Sequence, residues 1–90
     1  MLNMNLKMYG KTTKEAIEHI IKLSKYVERK TITIVLSKDQ GKTIYKKQIK
    51  KRVFKDAYYD DKLKAIVIHT YTDDGFKERY FHPENIINIY

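Results

Sequence analysis

The stretch TIYKKQIKKRVF, residues 43–54, decides the fold, because it reads either as a strand or as a helix. As a helix it stacks Tyr45, Ile49 and Val53 at i, i+4 and i+8, with lysines on the opposite side. As a strand it sends Lys46, Lys47, Lys50, Lys51 and Arg52 out from both faces. The residues before it favour the strand. Thr31-Ile32-Thr33-Ile34-Val35-Leu36 is dense in β-branched residues. Lys38-Asp39-Gln40-Gly41 then supplies a turn, Gly41 providing the positive φ that closes a hairpin. The expectation is a long, bent or bulged strand over 43–54.

Downstream, Asp56–Lys62 reads as a polar turn carrying Tyr58 and Tyr59. Leu63–Thr72 reads as a strand whose centre, Ala65-Ile66-Val67-Ile68, is apolar on both faces and therefore central. Asp73-Asp74-Gly75 is a second hairpin turn. Phe76–Phe81 returns, His82-Pro83-Glu84-Asn85 forms a one-turn connection, and Ile86–Tyr90 closes as a last strand. Pro83 cannot sit in a central ladder, which fits a break there.

Upstream, Leu2, Met4, Leu6 and Met8 alternate with polar residues as in a half-buried strand ended by Gly10. Thr12-Thr13-Lys14-Glu15 reads as a capping box. It opens a helix over 12–29 with Ala16, Ile17, Ile20, Ile21, Leu23, Ser24 and Val27 on one stripe. The order predicts an α+β domain over 1–90. A strand and one amphipathic helix (1–30) precede a five-stranded, strongly curved antiparallel sheet that closes partly into a barrel (31–90).

Ninety residues is one domain's length, and 42% hydrophobic with 33% charged residues is globular composition. Cysteine is absent, which removes disulfides, a thiol nucleophile and thiolate metal ligation, and fits a cytoplasmic protein. No apolar run is long enough to span a bilayer, and residues 1–10 lack the layout of a signal peptide, so no membrane role is expected. The bias to Lys and Ile is what AT-rich codons produce, pointing to a low-GC bacterium or its phage.

The net charge of +8 is unevenly spread. Residues 31–55 carry eight Lys/Arg against one acid, whereas residues 56–90 carry four against seven. A basic surface of this kind attracts polyanions.

With these elements in view, residues 31–90 resemble a small SH3-like or Sm-like barrel, and within that group the YolD-like family of low-GC bacteria. The resemblance is carried by ITIVLSKDQG (32–41), Ile49, AIVIHTYTDDG (65–75) and YFHPENIINIY (80–90), about two-thirds of the chain. It implies a strand, single helical turn, strand ending to the barrel, an association with DNA repair and mobile elements, and an edge strand through which the chain could form a homo-oligomer. The N-terminal strand and helix, and the lysine density of 46–52, are not part of that pattern.

Two surfaces are candidate binding sites. Lys42, Lys46, Lys47, Lys50, Lys51, Arg52 and Lys55 form a run with no acid among them. Closely spaced cations of this kind neutralise phosphates and release counterions. Tyr45 and Phe54 flank the run, and Tyr45 is the candidate for base stacking. The dominance of Lys over Arg predicts weak sequence preference, on DNA or RNA. The alternative is a protein-interaction module, such as a phage or mobile-element inhibitor of a host enzyme. It would present Tyr58, Tyr59, Asp60 and Asp61 at a hairpin tip.

No catalytic residues, cofactor or metal site are expected. Asp60-Asp61 and Asp73-Asp74 sit in turns, where Asp is common for backbone reasons. His19, His69 and His82 lie on a helix and two different strands without ligand spacing. Three glycines cannot form a phosphate loop, and Ser24 and Ser37 lack a nucleophile context.

Overall fold

The computed structural model describes residues 13–39 and 41–90. The expected strand over residues 2–8, its end at Gly10 and the Thr12 cap lie outside them.

Helix α1 spans Thr13–Ser24, with Glu15 in its first turn and Lys22 in its last, each favourable to the helix dipole. Ala16, Ile20 and Leu23 are its buried residues, at the i, i+4, i+7 spacing of one face. The helix stops at Ser24 and does not reach the expected 29. Ser24 Oγ donates to the Ile21 carbonyl (2.6 Å), and the Lys25 and Tyr26 N–H groups donate to Lys22 and Leu23 in a tightened last turn. Val27, expected on the buried stripe, is therefore released and 90% exposed.

Six strands follow: β1 (Thr31–Lys38), β2 (Thr43–Lys50), β3 (Phe54–Asp60), β4 (Ala65–Thr72), β5 (Gly75–Phe81) and β6 (Ile86–Ile89). They form two three-stranded antiparallel sheets, ordered β2-β1-β6 and β3-β4-β5. One five-stranded curved sheet is thus not what forms. The physical reason lies in the stretch 43–54. It is neither a helix nor one strand, because Lys51–Val53 make a 3-10 turn that separates β2 from β3. The Lys51 N–H donates to the Lys30 carbonyl (3.0 Å) as the last bond in register with Thr31↔Lys50, and the chain then turns away from β1. Phe54 then begins a new ladder opposite Thr70.

The polar segment 56–62 is likewise mostly strand. In β3, Ala57 is buried opposite Ile68, and the flanking Asp56 and Tyr58 pair with His69 and Val67. Only residues 61–64 turn. There Asp60 Oδ1 accepts the Lys62 and Leu63 N–H groups (2.8 and 3.0 Å), and Leu63 lies exposed before the strand it was expected to open. The expected Gly75 turn, the central position of β4 and the single turn at Pro83–Asn85 are all present.

The core lies between the two sheets and α1. Ile32, Ile34 and Leu36 of β1, Ile49 of β2, Ile66 and Ile68 of β4, and Ile86 and Ile89 of β6 meet Ala16, Ile20 and Leu23. Each large aliphatic buried this way contributes about 1.5–3 kcal/mol. Among the described residues no helix is long and apolar enough to cross a membrane.

Candidate nucleic-acid interface

Antiparallel register determines where each cation goes, because directly opposed residues point to the same face. Ile32, Ile34 and Leu36 face the core, and their partners Ile49, Lys47 and Tyr45 share that side. Thr31, Thr33 and Val35 lie on the opposite face with Lys50, Gln48 and Lys46, where Thr33 and Val35 are themselves buried. The lysine-rich run is therefore not one patch. Lys42 sits in the hairpin turn. Lys47 lies beside Tyr45, whose ring has Lys38 Nζ at 5.7 Å and Lys47 Nζ at 6.0 Å from its centroid. Lys46 and Lys50 occupy the outer face, with Lys46 Nζ 5.8 Å from the Tyr90 ring. Lys55 belongs to the second sheet, 3.4 Å from Asp56 Oδ2 and 5.4 Å from the Phe76 ring centre.

The remaining cations converge. Arg29, Lys30, Thr31, Lys50, Lys51 and Arg52 line a cleft of about 520 Å³ where the connector after α1 meets the 3-10 turn. Lys51 builds this junction with two bonds: its N–H donates to the Lys30 carbonyl, and its Nζ donates to the Tyr26 carbonyl. The ammonium of Lys51 is thereby engaged, and Arg29, Lys30, Lys50 and Arg52 are the other cations lining the cleft. No acid lines it.

Arg29 and Lys30 were absent from the expected site, since in sequence they read as the end of a helix. The hairpin register contains the signal that finds them. Counting outward from the 39–42 turn aligns Thr31 with Lys50, which places Arg29-Lys30 beside Lys51-Arg52.

The alternative site residues separate. Tyr58 points to the outer face of the second sheet, opposite Val67, whereas Tyr59 pairs with Ile66 on the core side of the ladder. Asp60 holds the turn through its hydrogen bonds to Lys62 and Leu63. Asp61 is exposed in that turn.

The outer face of the second sheet contains a feature that sequence spacing did not indicate. His69, buried on β4, lies between cross-strand carboxylates, its Nε2 3.0 Å from Glu78 Oε2 and its Nδ1 3.0 Å from Asp56 Oδ1. The first contact is an aligned hydrogen bond. The second is close but off-axis, so it is electrostatic only. Tyr80 Oη donates to Glu78 Oε1 (2.7 Å). That bond, followed by the one from His69, holds the Glu78 carboxyl below the usual carboxylate range, and the same carboxylate raises the Tyr80 phenol. Tyr58 and Phe76 pack on the imidazole at 5.3 and 4.8 Å between ring centres. On α1, His19 Nε2 lies 3.0 Å from the Ile89 carbonyl, and burial lowers its pKa. His82 Nδ1 lies 3.3 Å from the Lys64 carbonyl. Among the described residues no three His, Asp or Glu side chains are arranged to hold a metal ion.

Compared with protein-family models, curated proteins and solved structures, the chain matches none, so its geometry alone carries the functional reading.

Proposed function

We propose that this is a small, non-enzymatic cytoplasmic accessory protein that binds nucleic acid through its cationic surface with weak sequence preference. The observation that carries the reading is the acid-free cleft in which Arg29, Lys30, Lys50 and Arg52 surround the anchoring Lys51. Four available cations imply a slope of about −3 in log affinity against log salt for a single strand, or roughly a 50-fold loss between 50 and 200 mM. Fluorescence anisotropy with labelled oligonucleotides measures this directly. Lys50→Glu combined with Arg52→Glu should abolish binding at low salt. A wild-type protein that shows no affinity for any oligonucleotide at low salt would sink the reading. The SH3-like/Sm-like resemblance is retained within this proposal. A strand that leaves one sheet and enters another through a short turn is how small β architectures turn a corner.

A second reading, a protein-interaction module of a phage or mobile element, is favoured by a different observation. The outer face of β3-β4-β5 exposes Tyr58, Tyr71, Phe76 and Tyr80. Aromatic side chains supply contact area at low entropic cost. Pull-down from a host lysate, with and without nuclease, separates the readings: a partner lost on digestion supports the first, and one retained supports the second.

A further inference from the structure

We propose that the bound nucleic acid is single-stranded and crosses the outer face of the first sheet, from the cationic cleft to the Tyr90 ring, rather than following the Tyr45 side of β2. The inference rests on the nucleic-acid reading above and assigns Arg29, Lys30 and Tyr90 to the site.

A second cleft of about 350 Å³ adjoins the first. The two share Arg29, Lys30 and Thr31, and the second continues past Glu28, Thr33 and Gln48 to Tyr90. They are two lobes of one trough, and its chemistry changes along its length. At one end, Arg29, Lys30, Lys50 and Arg52 suit phosphates. In the middle, the Thr31 hydroxyl and the Gln48 amide suit sugar and base edges. At the far end stands the Tyr90 ring, 41% exposed, with Lys46 beside it. Glu28, the one acid on the path, lines only the second lobe, which keeps phosphates in the first.

The backbone fixes this ring in place. The Thr33 N–H donates to the Tyr90 carbonyl (2.6 Å) and the Tyr90 N–H donates to the Thr33 carbonyl (2.9 Å). Tyr90 therefore stands in the same row as Thr33 and Gln48, and its ring is 41% exposed with Lys46 Nζ 5.8 Å from its centroid. Tyr45 has lysines beside its ring from two sides, Lys38 and Lys47, and lines neither cleft. A flat aromatic at the end of a phosphate-binding trough needs a base whose face is accessible. A single strand can splay such a base out, and a duplex keeps its bases stacked inside.

The test is a binding map by anisotropy on labelled single strands, DNA and RNA, and on the corresponding duplex. Arg29→Glu with Lys30→Glu should weaken single-strand binding at least about tenfold more than Lys42→Glu with Lys47→Glu, an equal change in charge placed elsewhere. Tyr90→Ala should weaken single strands at least about fivefold and leave duplex affinity unchanged. Because a charge-reversed variant can also misfold, the wild-type protein provides a second measurement. Amide resonances of Arg29, Lys30, Thr33, Gln48 and Tyr90 should shift on titration with a single strand, more than those of Lys42, Tyr45 and Lys47. Equal losses from both charge pairs, larger shifts at Tyr45, or Tyr90→Ala acting equally on duplex would overturn this path while leaving nucleic-acid binding standing. No binding to any oligonucleotide would overturn both.

Discussion

At the scale of single residues, two groups tie stability to acid pH, and both act in the same direction. Burial lowers the pKa of His19, which lies beside the Ile89 carbonyl. The unfolded chain therefore takes up this proton before the folded one does. The contribution of His19 is complete above the ordinary histidine pKa of about 6.5 and is lost as pH falls through that value toward the folded one. Glu78 is also depressed, by the bonds from Tyr80 and His69, so its contribution is lost at lower pH, below the ordinary carboxylate range. Thermal melts from pH 7.5 to 5 should show falling stability for the wild-type protein and a flatter profile for His19→Gln, whose amide can still donate to Ile89. A His19→Gln profile as steep as the wild type would remove His19 from this role. The aromatic and carboxylate ring around His69 could not be foreseen from spacing, because Asp56, His69 and Glu78 become neighbours only when three strands are aligned.

At the scale of elements, turn chemistry was the most legible feature and strand breaks the least. Gly75 has φ +137, a conformation that L side chains rarely adopt, and a β-carbon there would meet nothing within 4 Å. The cost of Gly75→Ala is therefore backbone strain alone, about 1–2 kcal/mol, readable as a lower urea midpoint with an unchanged m-value. Gly41 and Gly75 could be placed from sequence because this constraint is local. The break at Lys51–Val53 could not, since it depends on Phe54 pairing with Thr70 in the second sheet. Residues 56–60 were read as a turn from their acids and tyrosines, yet β4 recruits them as an edge strand, the tertiary context overriding local propensity. For the site, charge density along 42–55 was plain in the sequence. Its division between two faces of β2 followed from strand periodicity, but which lysines share the core side did not, because that depends on register.

At the scale of the whole molecule, the proposed phosphate-binding cleft predicts an anion-specific effect on stability. Inorganic phosphate at about five times its dissociation constant should stabilise the protein by roughly 1 kcal/mol, or about 4–8 °C in Tm for a domain this small. Sodium chloride at matched ionic strength should not, and Arg29→Gln with Arg52→Gln should abolish the difference. Equal responses to both salts would mean general screening rather than a site. The pairing of β1 with β6 has a further consequence, for how the chain reaches this state. Thr31–Leu36 is uncharged, β-branched and free of Gly and Pro, the composition that favours intermolecular cross-β stacking. In the native sheet it is the central strand, with both edges hydrogen-bonded. One neighbour, β2, is a hairpin away, but the other is β6. During synthesis the second edge of β1 stays open until residues 86–89 have left the ribosome, so the nascent chain carries an aggregation-prone segment half-templated until β6 is made.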